Sequence, residues 1–117
     1  MELFIDTTDK NFLILALRTK GKVVARKIIK THFNQSEKLW PALDKLLKAN
    51  KIKIANLKKI IVANGRGSFT SLRIGVAAAN ALAFAWGLEV EDEQGHFKRS
   101  GRLKIVEPVY DREPNIT

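Results

Sequence analysis

The sequence predicts an α/β fold in a single lobe. Its mixed sheet combines a three-stranded antiparallel meander with later parallel strands joined by helices. Three observations carry this prediction. Short apolar runs separated by turn signals fill residues 2–31, and a stripe of leucines with helical spacing follows. A continuous apolar run at 60–63 then leads through a glycine turn into a helix over 69–86, which is typical of a crossover between parallel strands.

The antiparallel meander is predicted from three apolar runs near the start of the chain. Strands are expected at 2–7, 12–18 and 23–31, where leucine, isoleucine, valine and phenylalanine are frequent. Residues 6–11 form a turn-rich cluster, and a glycine turn at 19–22 is a hairpin signal. Short turns of this kind join antiparallel neighbours.

Two helices and further strands follow the meander. The first helix is expected from Ser36 to Asn50, although Pro41 removes one backbone hydrogen bond near its start. The second helix is predicted from Phe69 to Trp86, with Ser68 as N-cap and Gly87 just after its end. The remaining predictions are a buried parallel strand at 60–63, a strand at 88–91, a loop or hairpin at 92–102, a last strand at 103–110 and a tail at 111–117.

This order of elements is the plan of ribonuclease H-like and actin-like folds. At 117 residues, the chain suits one domain with one core. We therefore expect a single lobe over 1–117, in which residues 103–117 supply a short C-terminal strand and tail.

The chain carries a net charge of +9 and contains no cysteine. A basic domain favours anionic partners such as RNA. Many lysines lie around the first helix and its following loop. No aromatic residue interleaves with them, so base stacking is not predicted. The absence of cysteine excludes disulfides and thiolate metal sites and fits the cytoplasmic location that we expect. The lysines around the first helix and its following loop are Lys45, Lys48, Lys51, Lys53, Lys58 and Lys59.

Neither a membrane span nor a histidine metal cluster is predicted. The first residues lack the basic and long apolar segments of a signal peptide. The apolar run 69–86 contains Arg73 and Asn80 and is shorter than the ~20 apolar residues that a span needs. His32 and His96 are too few and too far apart in sequence. We therefore expect no membrane association and no cofactor.

The glycine turn before the second helix is a candidate anion site, because backbone N–H groups and the helix dipole can hold an anion there. The turn is not a Walker A loop, and Thr70 stands where a dinucleotide fingerprint has its third glycine. Two glycines also simply permit a sharp turn, and we favour that interpretation. The candidate anion-binding residues are Gly65, Arg66, Gly67, Ser68 and Arg73.

Asp6 ends the first strand, where ribonuclease H-like nucleases place a metal-binding carboxylate. Two metals about 4 Å apart need several such ligands. Asn64 ends the fourth strand, Glu37 begins the first helix and Asp111 lies in the tail, so the ligand set is incomplete. We therefore favour a turn role for Asp6, in which its side chain accepts hydrogen bonds from nearby backbone N–H groups.

The helix over 69–86 is apolar on every side and has to be covered on every side. One face covers the sheet, and small residues on another face allow a second helix to approach closely. The first helix can supply that cover within the monomer, or a partner helix can supply it. We favour a partner interface formed by Leu39, Trp40, Leu43, Leu47, Leu72, Gly75, Ala78, Ala79, Leu82 and Trp86.

These features resemble the TsaB (YeaZ) family. Residues 65–75 read Gly-Arg-Gly-Ser-Phe-Thr-Ser-Leu-Arg-Ile-Gly, close to the family's Gly-Pro-Gly-Ser-Phe-Thr-Gly-Leu-Arg-Ile-Gly. Ile5-Asp6-Thr7 at the start of the chain supports the resemblance. Residues 36–41 are similar to the family's Ser-Glu-Arg-Leu-Leu-Pro, and residues 107–112 are similar to its closing Glu-Pro-x-Tyr-Leu-Arg.

The departures from the family pattern are Arg66 for proline, Ser71 for glycine and Gln35 for histidine. Family members are about twice as long and have two actin-like lobes. The second lobe is missing here between roughly Glu91 and Leu103, which suggests an internal deletion. Because actin-like proteins hold nucleotide between two lobes, the resemblance implies a scaffold and not an ATPase.

The resemblance implies a non-catalytic subunit that binds a TsaD-like enzyme through its two helices. This pair would support threonylcarbamoyladenosine (t6A) formation at adenosine 37 of tRNA. It also implies a possible TsaE-like ATPase as a third component, a homodimer when the enzyme is absent, and weak or indirect tRNA contact. Two alternatives stay open: a small metal-dependent ribonuclease H-like nuclease using Asp6, and a basic RNA-binding module.

Overall fold

The computed structural model describes residues 1–32, 34–65, 69–101 and 103–108, with Phe69 and Ser100 described by their backbone. Two helices lie in this part of the chain, α1 (Gln35–Ala49) and α2 (Phe69–Trp86), together with a short 3₁₀ turn at Ile54–Asn56. The strands in the same part are β1 (Glu2–Asp6), β2 (Phe12–Thr19), β3 (Lys22–Lys30), β4 (Lys59–Val62), β5 (Glu89–Asp92), β6 (Lys98–Ser100) and β7 (Leu103–Ile105).

Five strands form one mixed sheet in the order β3-β2-β1-β4-β5. β1 to β3 pair antiparallel, whereas β1, β4 and β5 run parallel. Ile5 of β1 lies between Leu15 of β2 and Val62 of β4. β6 and β7 form a separate antiparallel hairpin. The predicted α/β lobe with a mixed sheet is confirmed.

Both helices pack on one side of the sheet, α1 against β2 and β3, and α2 against β1, β4 and β5. Alternate residues of β1 and β2 are fully buried, as the two-residue period of a strand requires. Ile60, Ile61 and Val62 are all buried, which fits the strand predicted to be covered on both faces. None of the described helices combines the length and apolar character needed to cross a bilayer.

The helix predictions agree closely with the structure. α2 has the predicted bounds, and Gly87 follows it with a φ of 67°. The N–H of Leu88 bonds the carbonyl of Ala83, and the N–H of Gly87 bonds that of Phe84, which is the Schellman pattern. α1 begins one residue before the predicted start and accommodates Pro41 within it. The predicted cap at Ser68 lies outside the described residues.

The end of the chain differs from the predictions. The segment 92–102 contains β6, which forms a hairpin with β7, so the hairpin extends beyond the predicted segment into the predicted last strand. The last strand was expected over 103–110, but β7 ends at Ile105. The physical reason is that the next residue, Val106, bonds through its backbone to the side chain of Asn80 and not to a neighbouring strand. Residues 109–117, including the predicted tail, lie outside the described residues.

Candidate partner surface and the polar end of the sheet

The predicted interface residues fall into two groups. Six are buried in the monomer and contribute to its core or its helix–sheet contacts, so they have no side-chain surface to offer a partner. Trp40 is exposed, and Ala78, Leu82 and Trp86 are partly exposed. The interface itself stays a prediction. Of the predicted residues, only these four, together with their exposed neighbours, could contact a partner. The six buried residues are Leu39, Leu43, Leu47, Leu72, Gly75 and Ala79.

The solvent-facing sides of the two helices differ in chemistry. On α1 this side is mostly charged, with an ion pair of 3.0 Å between Lys48 Nζ and Asp44 Oδ2. Trp40 is its large apolar exception, with 52% of its surface exposed. The Trp40 ring lies 6.0 Å from the Trp86 ring of α2, measured between centroids. Trp40 therefore joins the exposed surfaces of both helices.

On α2, small and apolar residues face the solvent. Ala77, Ala81 and Ala85 are exposed at four-residue spacing, and Phe84 beside them is 72% exposed. We call these four residues the outer α2 face. The predicted interface did not include them. The helical period could have identified them, because they lie opposite the apolar residues that contact the sheet.

Thr7 seats α2 at the carboxyl end of β1. Its hydroxyl donates a hydrogen bond to the Ser71 carbonyl (2.5 Å) and accepts one from the Gly75 N–H (2.9 Å). These two backbone groups are four residues apart in α2, so one hydroxyl contacts both a carbonyl and an N–H of the same helical turn. A Cβ at position 75 would lie 2.5 Å from Thr7 Oγ1, so this close approach requires glycine.

Gln35 fixes the start of α1 at the same end of the sheet. Its buried side-chain amide donates to the backbone carbonyls of Thr7 (3.1 Å), Asp9 (2.8 Å) and Phe12 (2.8 Å). These carbonyls belong to the turn between β1 and β2 and to the first residue of β2. Asn34 makes no side-chain cap on α1 and instead accepts the N–H of His32. Gln35 therefore positions this helix end.

The turn role favoured for Asp6 is confirmed. The Asp6 Oδ1 accepts hydrogen bonds from the Thr8 N–H (2.8 Å) and from the Thr8 hydroxyl (2.6 Å). Within the described residues, no three acidic or histidine side chains form a group that could hold a metal ion. Asn64 donates its side-chain amide to the Glu107 carbonyl at 2.7 Å. These contacts give no support to the nuclease alternative.

The glycine turn is described only at Gly65, because Arg66, Gly67 and Ser68 lie outside the described residues. Glu93 lies beside it, and its Oε2 accepts the N–H of Asn64 at 2.7 Å. Burial raises the pKa of the Glu93 carboxyl, nearby Asp92 and Asp6 raise it further, and the Asn64 N–H opposes the shift. A carboxylate here repels anions. Arg73 is exposed on α2, and the anion site stays a prediction.

The resemblance implies that a second lobe is missing between roughly residues 91 and 103. The hairpin β6–β7 lies at this position. Val106, which follows β7, is buried in the core. Its N–H and carbonyl bond the side-chain oxygen and nitrogen of Asn80, both at 2.8 Å. Ion pairs join Lys98 to Glu107 and Lys104 to Glu89. These contacts attach the hairpin to α2 and β5.

Comparisons with known proteins agree with this geometry. A family model described as TsaD, tRNA N6-adenosine threonylcarbamoyltransferase, matches residues 19–92. The tRNA threonylcarbamoyladenosine biosynthesis protein TsaB of Bacillus subtilis is 39% identical over 88 residues, which are 75% of this chain and 37% of that protein. An uncharacterised protein of Mycoplasma pneumoniae is 34% identical over 79 residues, which are 67% of this chain and 40% of the relative.

The solved structure of YeaZ from Pseudomonas aeruginosa matches with a TM-score of 0.70 and 24% identity. The match covers 78% of this chain and 42% of YeaZ, so the two share the fold of one α/β lobe. The chain belongs to the family described by the matching model and is a TsaB/YeaZ-like member of it. It spans about two fifths of the length of the curated relatives it matches.

Proposed function

We propose that this chain is an accessory subunit in t6A formation on tRNA, acting at adenosine 37. It binds a TsaD-like catalytic subunit through the outer α2 face and Trp40. It carries out no chemistry and needs no cofactor of its own. It acts in the cytoplasm, where a TsaE-like ATPase is a candidate third component. Family membership and the printed name of the Bacillus subtilis relative support the pathway.

The observation that carries the binding mode is the apolar solvent side of α2. Ala77, Ala81 and Ala85 present only methyl groups along more than two helical turns, so a partner helix can approach closely. Exposed Phe84 and Trp40 offer large apolar surfaces beside them. Apolar residues clustered on the surface of a folded domain mark interaction sites.

The test compares two alanine-to-glutamate variants of the full chain. In Ala81→Glu the charge falls in the middle of the proposed interface. Ala49→Glu is the matched control, because Ala49 is exposed on α1 and lies nine positions after Trp40, half a turn around the helix. Affinity for the TsaD-like enzyme of the same organism is measured by calorimetry.

An unpaired charge buried at the interface costs roughly 3 kcal/mol or more, so Ala81→Glu should weaken enzyme binding by at least about 100-fold. The control should bind as the wild type does. Equal affinity of both variants would show that the outer α2 face is not the interface. If the enzyme forms t6A equally well without the chain, the accessory role is wrong.

The same surface is proposed to form a homodimer when the enzyme is absent. Sedimentation of the purified chain measures this directly. The wild type should dimerise with increasing concentration, and Ala81→Glu should stay monomeric because two like charges would meet across a two-fold interface. A dimer that survives this substitution would use another surface.

A further inference from the structure

A basic groove lies at the opposite end of the sheet from Thr7, where β1 and β4 begin. It has a volume of about 270 Å³. The residues that line it come from the first residues of β1, the end of β2 and the segment that enters β4. They are Met1, Glu2, Arg18, Thr19, Lys20, Lys58, Lys59 and Glu89.

The fold adds further lysines to this end of the molecule. Lys22 belongs to β3 next to the tight β2–β3 turn, where it pairs with Thr19. Lys58 is held beside Met1 by a backbone hydrogen bond of 2.9 Å, and Lys53 precedes the compact 3₁₀ turn that leads to Lys58. We call Arg18, Lys20, Lys22, Lys53 and Lys58 the basic rim.

The positive charge of the basic rim is not neutralised within the described part of the chain. None of its five side chains forms an ion pair there. Of the nearby carboxylates, Glu91 bonds Lys59 at 3.1 Å and Glu89 bonds Lys104 at 2.7 Å, and Glu2, which lines the groove opposite Arg18, forms no ion pair in the described residues. Glu89 also lines the adjoining groove that contains Arg99 and Lys104, so the basic surface continues onto the hairpin.

The opposite end of the sheet carries charges of both signs. Asp6 and Asp92 are the last residues of β1 and β5, and Glu93 follows directly. Lys10 and Lys30 lie at the same end, in the β1–β2 turn and at the end of β3, so that end has mixed charge, whereas the predominantly positive basic rim favours an extended anion.

The chemistry of the basic rim favours RNA phosphates over other anionic surfaces. Its charges are mainly lysines, which act as point charges on phosphate oxygens and read no base sequence. Val23 and Ile54 are exposed next to Lys22 and Lys53, but the groove residues themselves are almost all polar or charged, so the groove lacks the broad apolar face that a peripheral membrane contact needs. We propose that the basic rim binds the phosphate backbone of a folded RNA independently of its sequence. This inference goes beyond the proposed function and does not depend on enzyme binding.

The experiment compares two triple variants that remove the same charge. The rim variant carries Lys20→Gln, Lys22→Gln and Lys58→Gln. The control carries Lys27→Gln, Lys38→Gln and Lys45→Gln, three lysines that line another groove, between β3 and α1. Binding of the full chain to a fluorescent tRNA transcript is measured by anisotropy from about 50 to 200 mM salt.

The rim variant should bind roughly tenfold more weakly than the wild type, with a salt slope reduced by about 2 to 3 because three phosphate contacts are lost. The control should keep most of the affinity and slope, and transcripts of unrelated sequence should bind alike. An equal loss of tRNA affinity in both variants would mean that only the net charge matters, and this would overturn the proposal. The proposal would also be overturned if the wild type showed no salt-dependent binding to tRNA. The same holds if the rim variant lost affinity for the TsaD-like enzyme but kept its affinity for tRNA.

Discussion

The two ends of the sheet use polar residues in different ways. At the carboxyl end, Thr7, Gln35 and Asn64 are buried, and their side chains bond the backbone of neighbouring elements. At the amino end, the basic rim consists mainly of exposed lysines with no ion pair in the described residues. Polar groups that are satisfied internally fix the positions of the helices. Polar groups that remain in water can bind a partner at little cost to the fold.

The strongest test of this difference is Gly75→Ala. The added Cβ either clashes with Thr7 Oγ1 or displaces it, which breaks two buried hydrogen bonds. The loss should outweigh the better helix propensity of alanine and lower the unfolding free energy by about 2 to 3 kcal/mol, measured in urea. Gly65→Ala is the control, because its Cβ would make an ordinary contact of 3.6 Å.

A second substitution at Thr7 tests the cause of that loss. Thr7→Ala removes the hydroxyl and makes room for a Cβ at position 75. The double variant should therefore be less destabilised than the sum of the two single variants. Strict additivity would mean that the Thr7 hydroxyl is not what makes glycine necessary.

A somewhat smaller effect is expected for Gln35→Met. The change keeps the length of the side chain but removes the amide that serves three carbonyls. Leaving buried acceptors without a donor should cost about 2 kcal/mol in urea unfolding. Gln94→Met, at an exposed position, should leave the midpoint unchanged. A stable Gln35→Met variant would contradict the anchoring role given to this residue.

The Glu93→Gln variant should give a smaller, pH-dependent effect. Burial raises the pKa of Glu93 above its ordinary value of 4.5. At a pH between 4.5 and this raised pKa, the folded chain holds a proton that the unfolded chain releases. The contribution of Glu93 to stability therefore falls as the pH rises through that window. Glutamine is uncharged, and its oxygen can still accept the Asn64 N–H.

The variant should consequently unfold at higher urea than the wild type at pH 7. The difference should shrink as the pH falls through this window and should vanish well below 4.5, where the carboxyl is protonated in both the folded and the unfolded chain. A difference that does not change with pH would show that Glu93 is not the titrating group.

The smallest effect on stability is expected at the amino end. The rim variant should unfold within about 0.5 kcal/mol of the wild type, since its three lysines are exposed. A larger loss would show that these lysines hold the structure together, and the distinction between the two ends would then fail.

The sequence predicts the order of the strands and helices well, because apolar period and turn residues determine them locally. The bounds of α2 and its glycine stop are of this kind. Contacts between distant segments could not be predicted. Neither the contact of the Thr7 hydroxyl with α2 nor the pairing of Asn80 with Val106 leaves a periodic signal. The interface stays a prediction, and the sequence could not show which of its residues the sheet buries, because a helix that is apolar all round does not reveal which side faces the solvent.

The attachment of Val106 to Asn80 has a consequence for chain length. Asp92 closes the start of the excursion over residues 93–105 through its bonds to the N–H groups of Gln94 and His96, and Asn80 closes its end. With both ends fixed on the lobe, loop-closure entropy grows only with the logarithm of length, at about 0.6 kcal/mol per doubling. A much longer excursion could therefore leave from the same two points without disturbing the sheet, so this is where chains sharing the lobe can differ most in length.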